Sequence, residues 1–407
     1  MSDFFQNGIV TTLHDLGGRK SFDLEQEVAR YAEQQPITLV LPCLVSELEG
    51  AAIGPIIDTL ATISYIDHII IGLDRADQSG YSNALRMFAR LPQSHQVIWN
   101  DGPRIQSLLE TLRYEGLAPG EKGKGQNLWI CFGLLQARST KGVVAIHDCD
   151  ILNYSSRLLA RLVYPLVNPA TSYVFAKGYY ARVSEQVLYG RVSRLFVTPL
   201  LRALKRSLAP SRYLDYLDSF RYPLAGECAM HVDVARRLHL TMDWGLEIGT
   251  LSEVFRDHST RQICQVDIAD TYDHKHQSLG QSSKETGLNR MARDIALSVL
   301  QGLAAQGQIL DKGHLRTVVT AYQRIVLDLM ESYENDAAIN GLMIDRGGEL
   351  SAASVFAAAL HEAGRRFVEE DCYRPLTPLW DGVMRSHPDI LSRLAFAVTE
   401  DVTEFGV

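Results

Sequence analysis

Short apolar runs alternate with longer amphipathic stretches through the first half of the chain. Ile37–Leu41, Ile69-Ile70-Ile71, Val97-Ile98-Trp99 and Gly142–Ile146 are almost wholly apolar. That is the pattern of strands buried on both faces of a parallel sheet. The segments between them, 49–63, 82–91, 104–114 and 126–138, carry helical spacing. Strand alternating with helix predicts an α/β fold with helices on both faces of a mostly parallel sheet and right-handed crossovers. Before the first strand, Ser21 is placed to cap a short helix with Leu24, Val28 and Tyr31 on one face. A helix over 155–164 and a strand over Tyr173-Val174-Phe175-Ala176 are expected next. Residues 177–285 are mixed and rich in polar side chains. From about 286, Leu288, Met291, Ile295, Val299 and Leu303 recur at helical spacing, as do apolar residues in 313–334 and 351–370. The expected organisation is a lead-in at 1–35, an α/β body at 36–285 with parts 36–150 and 151–285, and a helical region at 286–407. That tail reads as packing or a dimer surface.

The composition is that of an ordinary globular protein. Of 407 residues, 46% are hydrophobic and 22% charged. The net charge of −8 argues against a general nucleic-acid binder. No run of 18 apolar residues predicts a membrane span. The opening MSDFFQNGIV lacks the basic and apolar regions of a signal peptide, so a cytoplasmic location is expected. The six cysteines, at 43, 131, 149, 228, 264 and 372, show no CxxC or other zinc spacing and imply reduced thiols.

The most informative chemistry follows the fourth apolar run, at His147-Asp148-Cys149-Asp150. Residues two apart on an extended segment point the same way, so Asp148 and Asp150 are able to converge. The C-terminal end of a central strand is where open α/β sheets bind ligands. Two hard oxygen ligands there suit Mg²⁺ or Mn²⁺ carrying a diphosphate. A helix cap plus a solvated turn residue gives the same D-x-D, so its neighbours decide. The first strand exits as Leu41-Pro42-Cys43-Leu44-Val45-Ser46-Glu47, a sharp turn over which a nucleotide can lie. Asp74 and Asp77, after the second strand, are candidates for base or ribose, or else solvated loop acids. Gly123-Lys124-Gly125 fails both the P-loop and the dinucleotide spacings. It still allows close backbone approach and a positive charge on a phosphate. Lys177, Arg191 and Arg194, with the Ser193 hydroxyl, form a basic cluster suited to a phosphorylated or carboxylated acceptor, or to surface ion pairs. Glu247, among glycine and apolar residues at a helix start, is placed to cap the helix or bind a sugar hydroxyl. His274 and His276 share one side of Tyr272-Asp273-His274-Lys275-His276-Gln277, and either can complete a metal site begun at Asp148 and Asp150.

In this order the stretches VLPCLVSELE, GKGQNLW, HDCD, FAKGYY, YGRVSRL, YPLAGE, WGLEIG and YDHKHQ resemble the retaining glucosyl-3-phosphoglycerate synthases and their mannosyl-3-phosphoglycerate relatives. They span roughly residues 38 to 280. The resemblance implies a GT-A fold, an NDP-sugar donor (UDP- or GDP-glucose), a divalent metal, 3-phosphoglycerate as acceptor and a homodimer. It makes 36–150 the nucleotide-sugar part and 151–285 the acceptor part. By position it gives Pro42, Cys43, Leu44, Glu47, Asp74 and Asp148 to the nucleotide, and Lys124 to the diphosphate. Asp150 and His274 fall to the metal, Glu247 to the sugar, and Gly190, Arg191, Ser193 and His276 to the acceptor. The implied product is the precursor of glucosylglycerate, a compatible solute. Cys149 departs from the family's Ser or Ala inside D-x-D, and Cys43 with Val45-Ser46 departs from Ala and Asn-Glu in the first loop. Ser193 replaces Thr and keeps the hydroxyl. Arg194 replaces an acidic residue, which opens the acceptor to question. Rival readings are mannosyl transfer, transfer to another acceptor such as glycerate, a nucleotidyltransferase and a sugar-nucleotide-binding regulator. LPCLVSE lacks the G-x-G-T-R-type loop that the nucleotidyltransferase reading requires.

Overall fold

A computed structural model describes residues 6, 8–273, 287–370 and 376–406. An eight-stranded sheet positions everything else. In chain order its members are β1 (Thr11–Leu13), β2 (Ile37–Leu44), β3 (Ile66–Asp74), β4 (Ser94–Trp99), β5 (Val143–Ile146) and β6 (Phe175–Tyr180). A small ribbon outside the sheet, β7 (Val183–Ser184) with β8 (Val187–Leu188), comes next. β9 (Cys228–His231) and β10 (Ile263–Ala269) complete the sheet. The spatial order is β1-β10-β6-β9-β5-β2-β3-β4. All pairings are parallel except those of β9, which runs against both β5 and β6.

Strands β2, β3 and β4 step toward one edge, and β5 then returns to the other side of β2. The strand order therefore reverses between β2 and β5, which opens a crevice at their C-terminal ends. The reversed β9 brings its entrance, Glu227-Cys228, to that same end, because Cys228 pairs with Ile146 and with Lys177.

Helices α1 (Ser21–Ala32), α2 (Ile53–Ala61), α3 (Gln78–Phe88), α4 (Pro103–Tyr114), α5 (Lys124–Arg138) and α6 (Ser156–Val167) link the first strands. Alternate residues of one strand feed two cores, as the pleat requires. Leu39, Leu41, Ile69 and Ile71 face Ile56, Leu60, Tyr81 and Leu162. Val40, Ile70 and Ile98 face Ile105, Leu109, Trp129 and Leu134. Later come α7 (Thr198–Ser207), α8 (Arg212–Ser219), α9 (Val232–Ala235) and α10 (Leu246–Asp257).

The tail forms α11 (Gly287–Ala305), α12 (Lys312–Ile339), α13 (Arg346–Glu369), α14 (Trp380–Ser386) and α15 (Ile390–Phe405). Its buried side chains belong to the second core, except Phe405, which packs on the first. Trp380 stacks on Trp129 at 4.1 Å, and each indole N–H donates to a backbone carbonyl, Trp129 to Pro378 and Trp380 to Trp129. Phe405 meets Trp99 edge-on at 5.4 Å, and Arg104 bonds Asp401 at 2.6 Å. Burial of each such side chain contributes roughly 1.5–3 kcal/mol.

Three differences from the sequence pattern have physical causes. The lead-in holds an edge strand, β1, whose three residues are too few to show a period. The helix expected from residue 49 starts at Ile53, because Val45–Glu47 forms a 3-10 turn and Gly50 N–H bonds Glu47 O at 2.9 Å. The strand expected at 173–176 runs from Phe175 to Tyr180, through Lys177. That lysine is tolerated at 2% exposure because its ammonium donates to Ala225 O at 2.5 Å.

Candidate active site

At the exit of β5 the chain leaves Ile146 and turns through Asp148-Cys149-Asp150. Across the crevice, α5 begins at Lys124, after Gly123. The Lys124 ammonium donates to Asp148 Oδ1 at 2.6 Å and stands 3.7 Å from Glu247, in the first turn of α10. Two glycines make the approach feasible. A Cβ on Gly125 would lie 2.1 Å from Thr241 O. One on Gly226 would lie 2.4 Å from Asp148 Oδ2 and 3.0 Å from Lys124 Nζ.

Charge in this cluster is lopsided. Desolvation works against the Lys124 charge, but Asp148 and Glu247 outweigh it and hold the ammonium more firmly protonated than usual. Around that cation gather Asp148, Asp150, Glu47, Glu227 and Glu247. Burial, then the neighbouring Asp148, Glu47 and Glu227 charges, push Asp150 up to about 7. Burial and Asp148 likewise raise Glu227. Crowded carboxylates with too little positive charge are the donor set a hard divalent cation takes. The residues present therefore fit Mg²⁺ or Mn²⁺. His274 and His276 lie outside the described residues. Asp273, just before them, accepts from Leu152 N–H at 2.8 Å, two residues beyond Asp150. His147 is fully buried on Tyr154 OH at 2.9 Å, and burial lowers it to about 4, so it is a neutral core residue.

Pro42, Cys43 and Leu44 are the last residues of β2, alongside Gly72, Leu73 and Asp74 of β3. Glu47 folds back to accept from Leu44 N–H at 3.1 Å. Asp74 accepts from the Asn100 amide at 2.7 Å, and burial raises its pKa. Asp77, offered above as a base or ribose ligand, instead caps α3 by accepting from Gly80 N–H at 2.7 Å. The Asx cap is the commoner use of a loop acid at such a position.

The expected basic cluster divides. Gly190 has φ +80°, a left-handed turn that favours glycine. A helix opens immediately after it, with a π turn over Ser193–Val197 that leads into α7. Arg191 lies at this opening, partly exposed and 3.5 Å from the largely exposed Asp345. Ser193 is buried, and among the described residues its hydroxyl has no hydrogen-bond partner. Arg194 and Lys177 do not belong to an anion grip. Arg194 is buried against Glu349 at 2.5 Å, donates to Tyr189 O and Leu188 O, and lies over the Tyr333 ring. Its replacement of an acidic residue is answered by a carboxylate from α13 and carries no message about the acceptor. Lys177 is held inside the sheet, and burial lowers its pKa.

Sequence reasoning missed a group that joins these regions. Glu227 is 1% exposed and accepts from Tyr180 OH at 2.6 Å and Tyr272 OH at 2.5 Å. Those two rings stack at 3.7 Å, and Tyr222 packs on Tyr180 at 5.0 Å. A Cβ on Gly190 would stand 3.8 Å from the Tyr222 ring. The tyrosines thus link Glu227 to the neighbourhood of Gly190, and the Glu227 charge acts on the Lys124–Asp148 pair. The available signal was Gly226-Glu227 directly before the apolar Cys228-Ala229-Met230: an acid at the mouth of a buried strand needs partners.

No family model matches the chain. A glucosyl-3-phosphoglycerate synthase of Persephonella marina is 42% identical over 98% of this chain and 99% of its own length. One from Methanococcoides burtonii is 36% identical over 99% of both. Among solved structures, the glucosyl-3-phosphoglycerate synthase of Mycobacterium tuberculosis in complex with Mg²⁺ and UDP matches 75% of this chain and 89% of its own, with TM-score 0.53 at 24% identity. The mannosyl-3-phosphoglycerate synthase of Rubrobacter xylanophilus matches 74% and 85%, with TM-score 0.54 at 20% identity. At those identities the solved structures speak to the fold.

Proposed function

The chain belongs to the glucosyl-3-phosphoglycerate synthase family, and from that premise we propose how its residues divide the reaction. The protein is a metal-dependent glucosyltransferase of GT-A fold that transfers glucose from an NDP-glucose to 3-phosphoglycerate. The observation that carries the division of roles is the Lys124 ammonium lodged between Asp148 and Glu247 at the mouth of the β2–β5 crevice.

In this reading Pro42–Glu47, Asp74 and Asp148 line the nucleotide. Asp150, with His274, holds Mg²⁺ or Mn²⁺, which when bound neutralises the diphosphate and stabilises it as a leaving group. Lys124 places a fixed positive charge beside the same oxygens, in a half-buried site that screens it only in part. Glu247 binds sugar hydroxyls. Gly190, Arg191 and Ser193 take the acceptor: the first N–H groups of the helix and the guanidinium suit its anionic groups, and the buried Ser193 hydroxyl awaits a partner. No described side chain stands out as a covalent nucleophile. Attack is therefore assigned to the face from which the diphosphate leaves, with a leaving phosphate oxygen taking the acceptor's proton. The product keeps the donor's α configuration. We read residues 36–285 as the catalytic body, 286–407 as its helical cover, and the enzyme as a homodimer.

A donor-by-acceptor matrix of UDP-glucose, GDP-glucose and GDP-mannose against 3-phosphoglycerate and glycerate, read by product mass, tests substrate choice. Proton NMR of fresh product gives the anomeric coupling. A β-glucoside would overturn the same-face route and make Glu247 the general base.

A further inference from the structure

The crevice holds a second set of metal-ligating atoms, of opposite chemical character to the carboxylates. Cys43 Sγ at the end of β2, Cys149 Sγ between Asp148 and Asp150, and a Glu47 carboxylate oxygen all lie within 4.8 Å of one another. Both thiols are 1% exposed, and the Cys43 thiol donates to Leu44 O at 3.4 Å. Glu47 is only half-buried, so the cluster has an open side. Two thiolates and a carboxylate form three corners of a tetrahedron and leave the fourth for water, an arrangement Zn²⁺ accepts. Bond lengths of about 2.3 Å to sulfur and about 2.1 Å to oxygen require ligand atoms roughly 3.5–3.8 Å apart, so about 1 Å of contraction closes the site. Mg²⁺ avoids such a set because it demands oxygen ligands, whereas soft thiolates select zinc-like ions.

We propose that Cys43, Glu47 and Cys149 form a site for a thiophilic divalent cation, Zn²⁺ or its soft analogues, that blocks donor binding. On binding, each thiol releases its proton to water and no oxidant is needed. The cation staples the exit of β2 to the turn after β5. It also draws on Glu47, whose carboxylate otherwise holds Leu44 N–H at 3.1 Å. Capture of the cation rests on this geometry alone. The block of the donor rests on the reading of Pro42–Glu47 as the nucleotide loop.

Wild-type protein in a large excess of Mg²⁺, which keeps the Asp150 site filled, is titrated with Co²⁺ as a spectroscopic stand-in, and with Zn²⁺ against the chromophoric chelator 4-(2-pyridylazo)resorcinol. The expected result is one equivalent bound, with thiolate-to-Co²⁺ charge-transfer absorption. Binding should be weakened more than a hundredfold in Cys149→Ser, which exchanges the thiol for a hydroxyl of similar size. Cys43→Ser, read by absorption only, should lose the same band. In kinetics with excess Mg²⁺, added Zn²⁺ should raise the apparent KM for UDP-glucose in wild type and leave that of Cys149→Ser unchanged. Equal Zn²⁺ affinity in wild type and Cys149→Ser, or a thiolate band that persists in Cys43→Ser, overturns the cation site. A thiolate band that disappears with Cys149→Ser while Zn²⁺ leaves the wild-type donor KM untouched overturns the block and the placement of the donor loop, with the cation site intact.

Discussion

Gly226→Ala is a single-methyl probe of the Lys124–Asp148 pair. The added Cβ would lie 2.4 Å from Asp148 Oδ2 and 3.0 Å from Lys124 Nζ, where ordinary contact begins at 3.4 Å. The backbone at Gly226 is not left-handed, so the effect comes from the methyl group itself. To make room, the carboxylate moves by about 1 Å, enough to stretch its 2.6 Å bond to Lys124 beyond hydrogen-bonding range. A charge-assisted hydrogen bond contributes roughly 1.5–3 kcal/mol. Both side chains are about one-third exposed, which solvent screening discounts to about 1.4–2 kcal/mol. The expected loss in kcat/KM for the NDP-glucose donor is about ten- to thirtyfold. The assay is initial-rate release of nucleoside diphosphate at saturating 3-phosphoglycerate, with thermal melts alongside. Gly54→Ala, in α2 with nothing within 4 Å of the new methyl, is the control and should keep full activity. If Gly226→Ala stays within threefold of wild type while folded, the pair is not engaged in donor use and its place at the centre of the site is wrong.

Further outcomes follow from the same geometry. Asp150→Ala should abolish Mg²⁺-supported turnover yet stabilise the metal-free protein at pH 8 by roughly 1–3 kcal/mol, because it relieves the carboxylate crowding that lifts Asp150 to about 7; full turnover, or a lowered melting temperature without metal, would refute it. Arg191→Ala should raise the 3-phosphoglycerate KM about 10- to 150-fold and leave the donor KM alone; the reverse split would move the acceptor elsewhere. His68, 1% exposed and bonded to Ser94 and Gln96, is held down to about 4 chiefly by burial. Its unfolded value is near 6.5, so the unfolded chain binds the extra proton first. Stability is full above about 6.5 and falls as pH drops toward 4, by roughly 3 kcal/mol. Urea unfolding of His68→Gln should lack that part of the acid loss, and an identical pH profile would remove His68 as its source.

The strands that sequence located well are those buried on both faces, β2 to β5, where apolar runs leave little choice of structure. The D-x-D turn and Lys124 were legible because a strand end and a glycine-flanked helix start are local signals. Glu227 was not, because its meaning depends on Tyr180 and Tyr272, which lie 47 and 45 residues away. Arg194 was misread for the same reason: its partner Glu349 is 155 residues distant. Local pattern marks where a charged residue sits, but whether that residue is available to a ligand depends on what the rest of the chain brings against it. The cysteines illustrate the same rule. Cys43 and Cys149 have no zinc spacing in sequence, and only the adjacency of β2 and β5 makes them neighbours.

The backward-running β9 also sets a timetable for the nascent chain. β2 to β5 can pair once about 150 residues have emerged, but the far edge of β5 is not covered until β9 arrives about 80 residues later. At roughly 5–20 residues per second that is several seconds, during which Val143-Val144-Ala145-Ile146 presents an apolar, unpaired strand edge. Closure is later still at the other side, where Thr11–Leu13 waits for Cys264–Val266, about 250 residues downstream. A fragment ending after Asp150 would carry Lys124 and both aspartates of the motif and still be a poor protein, because its sticky edge would be permanent. Efficient production of this enzyme therefore depends on how fast the ribosome delivers residues 228–231, and slowing translation between Asp150 and Glu227 should increase aggregation without altering a single residue of the site.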